Sequence, residues 1–392
     1  MVDKSVVTGL DRLAEDRTDC VRGKRLGLIA NPSSIDSNLR HAVDVLHELP
    51  DVRIVVLFGP EHGLRGFAQD QIELGDDLDP RTGLPVVSLY GSTRAPTLEI
   101  LSELDAIVCD IQDIGSRYYT FIWTMAKAME ACAVAGIEMI VLDRPNPING
   151  EAVEGNLIGE DFRSFVGLHP IPNRHGMTVG ELAVFFNEEF GLGCPLTVVP
   201  MKGWRRSLWY DQTGLPWVMP SPNMPTLETA TVYPGMCLME GTNVSEGRGT
   251  TRPFEMVGAP WVEPYRLIAE LENEDLPGVG FRALYFQPTF HKYAGTVCGG
   301  LQLHVVDRLA YQPVRTGLAI VAALFRLWPG EFKWREPPYE YETERLPIDI
   351  LLGNDQIRPQ IEAGRPVQEI EACWKDETAR FLDRRKTHLL YR

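Results

Sequence analysis

Five short apolar runs, separated by helix-patterned segments, fill the first 150 residues and constrain the fold more than any other feature of the chain. Residues 25–31 (RLGLIAN), 53–59 (RIVVLFG), 84–90 (LPVVSLY), 106–111 (AIVCDI) and 138–142 (EMIVL) are nearly continuous in apolar side chains. A half-exposed strand would alternate apolar and polar residues. A strand apolar on both faces must be covered on both, and helices between successive strands supply that cover, which is the pattern of a parallel sheet. The spacing predicts helices over 38–49, where Val43, Leu46 and Leu49 share a side, over 97–104, and over 120–135, where Gly136 is the stop. The expected fold class is α/β. Residues 1–150 form a Rossmann-like parallel-sheet domain and residues 151–392 a second domain, a division that suits the length.

Beyond Gly150 the pattern changes. Residues 178–190 read as a helix, with Thr178 as its cap and Glu181 three positions on. Residues 195–201 read as a strand, 265–271 as a helix, 282–286 and 300–306 as strands, and 314–328 as an apolar helix. The tail, 367–390, reads as one amphipathic helix. Residues 204–251 are rich in proline and glycine and are expected to be irregular; a stretch this long without regular structure is usually functional when it carries aromatic residues.

Ligands of open α/β sheets bind beyond the carboxyl ends of the strands. Here those ends carry polar residues. The second run leads into Gly59-Pro60-Glu61-His62-Gly63, the fourth into a segment with Asp110, Asp113, Arg117 and Tyr118, and the fifth into Asp143-Arg144-Pro145-Asn146. Any one of these acids is also a common helix cap or turn residue. Glutamate is a poor cap, so Glu61 favours function. The later part of the chain adds Arg174-His175, Asn223, and a glycine-rich segment with Glu240, Glu246, Arg248 and Arg252. Glycines let backbone approach a ligand, and arginines hold carboxylates bidentately. Tyr118, Tyr119, Trp123, Trp204, Trp209 and Trp217 lie nearby in sequence. Acids beside aromatic rings suit a sugar, and two carboxylic acids in different environments can perform glycosidic acid–base chemistry.

Other classes fit less well. A net charge of −16 argues against a nucleic-acid partner. No apolar run approaches the ~18 residues of a membrane span. Seven scattered cysteines, none in a CxxC pair, read as reduced thiols, and the charged first 25 residues show no signal-peptide pattern, so the expected location is cytoplasmic. No dinucleotide fingerprint follows the first strand, no phosphate loop occurs, and Asn243 takes the place of the first glycine of a nucleophile elbow. His169 and His175 are badly spaced for two ligands on one helix face. Neither a metal nor an organic cofactor is expected.

Taken together in this order, LFGPEHGLRG, DPRTGLPVVSLYG, DIQDIGSRYYT, LDRPNPING, PIPNRHGMT, PSPNMP and EGTNVSEGRGTTRPF resemble the exo-β-N-acetylmuramidase (NamZ-type) family, formerly a domain of unknown function, over nearly the whole chain. The resemblance implies a Rossmann-like domain and a smaller C-terminal α/β domain with the active site at their interface. It implies a glycosidase that removes β-1,4-linked N-acetylmuramic acid (MurNAc) from the non-reducing ends of peptidoglycan fragments. Glu61 then corresponds to the general acid, and Asp110, Asp113 and Glu246 are candidates for the partner carboxylate, with His62 beside them. Arg117, Tyr118, Asp143, Arg144, Arg174, His175, Asn223, Glu240 and Arg248 line the cleft on this basis. One of Arg117, Arg144, Arg174, Arg248 and Arg252 is expected to hold the lactyl carboxylate that distinguishes MurNAc from N-acetylglucosamine (GlcNAc). The competing functions are a non-catalytic cell-wall carbohydrate-binding protein on the same scaffold and, on the sheet pattern alone, a nucleotide-dependent oxidoreductase.

Overall fold

A computed structural model describes residues 6–66, 77–91 and 93–392. The elements of the first half are α1 (Gly9–Glu15), β1 (Arg25–Ala30), α2 (Ala42–Glu48), β2 (Arg53–Gly59), β3 (Asp77–Leu78), β4 (Pro85–Ser88), α3 (Leu98–Leu101), β5 (Ala106–Asp110), α4 (Phe121–Ala135), β6 (Glu138–Leu142), α5 (Val179–Glu189) and β7 (Leu196–Val199). The strands form one sheet in the order β3-β4-β2-β1-β5-β6-β7. All neighbours are parallel except the β3–β4 edge pair. The central apolar runs are buried as their composition requires: Leu26, Leu28, Ile107, Val108, Ile140 and Val141 have no exposed surface, whereas β4, near the sheet edge, is only half-buried. At α5, Thr178 accepts from the Glu181 amide and Glu181 reaches back to the Thr178 amide, closing the expected capping box. The sheet draws its last strand, β7, from beyond residue 150, so residue 150 does not bound it.

The second half contains α6 (Leu227–Met236), β8 (Met256–Ala259), α7 (Pro264–Leu271), β9 (Val279–Phe286), β10 (Cys298–Val305), α8 (Pro313–Leu327), α9 (Pro347–Leu352), α10 (Ile357–Glu362), α11 (Val367–Ala372) and α12 (Lys375–Arg385). Its antiparallel sheet runs β8-β10-β9. Two sequence expectations are corrected. The stretch 204–251 is not irregular throughout, because α6 lies inside it. Residues 229–236 of α6 are buried on every side, so no apolar stripe marks the helix, and Pro234 within it reads as a breaker. The tail is not one helix. It breaks between α11 and α12, where Trp374 turns inward to join Ile370 and Phe381 in the core.

α6 crosses α8 where Gly235 and Gly317 meet, and a Cβ on either glycine would overlap the backbone of the other helix. The two halves are also tied by the tail. Arg385 donates to the carbonyl of Gly176, Leu390 N–H to Glu181, and the Tyr391 hydroxyl to Asp143. Among the described residues, no helix is long and apolar enough to cross a membrane.

Candidate active site

The strand order reverses direction on either side of β1, and in such sheets a dinucleotide would occupy the crevice at that point. Here the chain fills the crevice itself. Asn31, just after β1, accepts from the Ser33 amide and from the Ser33 and Ser34 hydroxyls. Ser34 donates to the Asp110 carbonyl. Asp110 takes both forks of the Arg144 guanidinium at 2.6 and 2.7 Å, and Arg144 also donates to the Ile35 carbonyl. These buried side chains pair with one another at the switch point, which gives the oxidoreductase alternative no support.

The pocket lies farther out, where the second half meets the end of β2. Gly59 ends that strand, and a Cβ there would sit 2.7 Å from the Leu64 nitrogen, so only glycine permits the tight return. The turn closes with the Gly63 amide donating to the Pro60 carbonyl at 2.9 Å. His62 is left-handed (φ 70°), a conformation that costs a non-glycine residue roughly 1–2 kcal/mol and concentrates at functional sites. Glu61 is thereby carried out of the sheet into the pocket, where the Thr120 hydroxyl donates to its Oε2 at 2.7 Å. Thr120 itself is positioned by the start of α4.

The pocket is narrow, with about 40 Å³ of free space, and is partly open to solvent. The first half supplies Glu61, His62, Tyr118, Tyr119 and Thr120; the loop before α6 supplies Ser221, Asn223 and Met224. The second half supplies Tyr233, Glu240, Arg248, Phe254, Tyr339 and Glu340. Glu240 is held from both sides: Arg248 donates to Oε1 at 2.8 Å and the Tyr339 hydroxyl to Oε2 at 2.6 Å. Burial raises the phenols of Tyr119, Tyr233 and Tyr339 well above their ordinary value, so they stay protonated as donors.

The residues singled out from sequence therefore separate into two groups. Glu61, His62, Tyr118, Asn223, Glu240 and Arg248 line the pocket. The others lie in buried networks around it. Asp110 and Arg144 pair as described. Asp113 accepts from the Gly115 amide at 2.6 Å and from His175 Nε2 at 3.0 Å. His175 Nδ1 accepts from the Met177 amide, which assigns the ring proton to Nε2. Asp143 accepts from the Arg144 and Gly180 amides and from the Thr178 and Tyr391 hydroxyls. Burial pushes its carboxyl up to about 7 against the pull of Tyr391, Gly180 and Thr178. Arg117, fully buried, donates to the carbonyls of Asn156, Ile171 and Leu351, and burial lowers it to about 10. Arg174 binds Glu154 and the Ile148 carbonyl.

Glu246 is fully buried and is not part of the pocket lining; it has Lys292 at 2.8 Å, His291 at 3.1 Å and Arg248 at 3.5 Å. Burial works to raise its carboxyl, but the Lys292, His291 and Arg248 contacts outweigh burial and hold it well below the usual range. Arg252 pairs with Glu255 and lines a different depression. Of the five arginines considered for an anion, Arg248 is the one in this pocket. Sequence reasoning gave no role to Thr120, Ser221 and Phe254, although they lie within the motif segments, and it missed Tyr233, Tyr339 and Glu340 altogether. The signal for the last two was the alternation of tyrosine and glutamate after two prolines in Pro337-Pro338-Tyr339-Glu340-Tyr341-Glu342. Among the described residues, no group of three or more His, Cys, Asp or Glu is placed to hold a metal ion.

A parallel sheet, a small antiparallel sheet and, between them, a pocket of carboxylates and aromatic rings define a two-part α/β protein with a sugar-type site. More specifically, the chain belongs to the exo-β-N-acetylmuramidase NamZ family: the N-terminal family model matches residues 26–228 and the C-terminal model residues 231–391. It is 48% identical over 386 residues to the peptidoglycan β-N-acetylmuramidase NamZ of Bacillus subtilis (strain 168), covering 98% of this chain and 91% of that protein. Crystal structures of two DUF1343 family proteins from Bacteroides fragilis NCTC 9343 share the fold. One has a TM-score of 0.90 at 37% identity, covering 99% of this chain and all of the other. The second has a TM-score of 0.78 at 30% identity, covering 99% of both.

Proposed function

We infer that this chain is a glycoside hydrolase of peptidoglycan, releasing terminal β-1,4-linked MurNAc from the non-reducing ends of wall fragments. The observation that carries this is Glu61, a carboxylate delivered by a strained turn into a pocket of aromatic rings in a chain of this family. A carboxylic acid at that place can protonate the glycosidic oxygen as the bond to C1 breaks. The seven cysteines are free, as in a reducing compartment, and this supports work on cytoplasmic fragments. We place the division between the functional units near residue 230, where the two family models meet.

Arg248 is our choice for the lactyl carboxylate. It presents a planar cation in the pocket of a protein whose net charge of −16 repels anions at long range, so recognition must be local. The expected result for Arg248→Ala, assayed on aryl β-MurNAc and aryl β-GlcNAc, is a loss of roughly 2–5 kcal/mol in transition-state binding of the MurNAc substrate. Any GlcNAc turnover stays nearly constant, so the preference narrows. Equal losses on both substrates would mean that Arg248 only restrains Glu240 and Glu246.

A further inference from the structure

Glycosidic hydrolysis of this kind uses two carboxyl groups, and the three partner candidates drawn from sequence, Asp110, Asp113 and Glu246, all lie outside the pocket in buried pairs. The carboxylates that line it, among the described residues, are Glu61, Glu240 and Glu340. Both oxygens of Glu240 are taken, one by Arg248 and one by Tyr339. We propose that Glu340 is the second catalytic carboxylate, the base that takes the proton of the attacking water.

Its local structure is unusual in a way that a surface turn has no need of. Tyr339 and Glu342 exchange amide–carbonyl hydrogen bonds at 2.9 Å in both directions, closing a two-residue turn. The residues between them, Glu340 (φ 45°) and Tyr341 (φ 68°), are both left-handed. Turns of this kind normally take Asn-Gly because each central position disfavours a side chain. Here a glutamate and a tyrosine occupy them, and strained backbone that persists against its preference marks sites where the side chain is needed.

The turn is fastened on each side. Tyr339 is anchored through its hydroxyl on Glu240, and the Tyr341 ring lies 3.7 Å beneath the Arg94 guanidinium and 5.5 Å from the Tyr90 ring. The Tyr90 hydroxyl donates to Glu340 Oε2 at 3.2 Å and fixes the carboxylate in place. Both Glu61 and Glu340 act on the Tyr90 phenol, which burial above all raises far beyond its ordinary value, so Tyr90 remains a donor.

The assignment rests on the glycosidase reading above. In the step it describes, Glu61 gives its proton to the glycosidic oxygen as the C1–O bond breaks. A water oxygen bonds to C1, and the water proton passes to Glu340. Free MurNAc and the shortened alcohol leave; Glu340 then releases its proton to solvent and Glu61 takes one up, which restores both.

The test is to measure Glu340→Gly and Glu340→Gln on aryl β-MurNAc, with and without added azide. Glycine suits the left-handed position, so the Gly variant should melt no lower than the unmodified enzyme while losing about 10²–10⁴-fold in kcat. Azide should restore turnover of the Gly variant, forming a C1–N bond as the phenol departs, and yield a glycosyl azide. Gln, which keeps the bond from Tyr90, should lose rate to a similar extent with KM little changed. A Gly or Gln variant within threefold of the unmodified kcat, or a loss confined to KM, would overturn the assignment and leave the glycosidase reading intact. An unmodified enzyme that fails on the same substrate would remove both.

Discussion

Glu61→Gln should leave the protein folded and slow hydrolysis of a substrate with a poor leaving group by roughly 10²–10⁴-fold. Glutamine is nearly isosteric, and its amide oxygen can accept the Thr120 hydroxyl in place of Oε2. It has no acidic proton to deliver. The natural leaving group is a sugar hydroxyl, which needs that proton as the bond breaks. A nitrophenolate does not, so the loss on an activated aryl glycoside should be much smaller. The contrast between the two substrates is what identifies a general acid, because misfolding or lost binding would lower both rates together. Equal rates for the variant and the unmodified enzyme on both substrates would take Glu61 out of the mechanism. The same pair of substrates separates Glu61 from Glu340, whose loss falls on the attack of water and so should slow both.

The second large effect concerns stability. Arg144→Ala should cost about 3–5 kcal/mol of folding free energy. The Arg144 side chain is 3% exposed and that of Asp110 not at all, with two hydrogen bonds between them. Truncating the arginine leaves Asp110 charged, buried and without its cation beneath the end of the sheet. Urea unfolding followed by circular dichroism measures the loss. Replacing both partners by apolar residues of similar volume should recover most of it, because the penalty belongs to the orphaned charge. A single Arg144→Ala variant as stable as the unmodified protein would show that the pair adds nothing to folding, and its activity would then decide whether Arg144 meets substrate instead.

The first sheet was legible because its central strands are apolar on both faces, and that property follows directly from being covered on both. All five runs are strands, and Thr178 caps its helix as its type and spacing required. The second half was harder. α6 is buried all round and contains Pro234, so neither an apolar stripe nor an uninterrupted run betrayed it. β8 is four residues long and pairs through Gly258 against Gly300, where small size matters and strand propensity is low.

At the site, residue type identified Glu61, His62, Asn223, Glu240 and Arg248 as polar groups near strand ends and glycine-rich loops, but it could not say which faced the pocket. Asp110, Asp143 and Arg117 have the same appearance in sequence, yet each is satisfied inside the protein by partners far along the chain. Glu340 was missed for a different reason: its tyrosine–glutamate segment lies 279 positions from Glu61 by numbering, and only folding brings it to the same pocket.

The most direct measurement uses two glycan chains of equal length, one ending in MurNAc at its non-reducing end and one ending in GlcNAc. Incubation with the unmodified enzyme, followed by mass spectrometry of the products, should show MurNAc released as a free monosaccharide from the first chain, which shortens by one sugar, while the second stays intact. Cleavage of the GlcNAc-ended chain, or release of oligosaccharides from the interior of either, would contradict a pocket built for a terminal MurNAc.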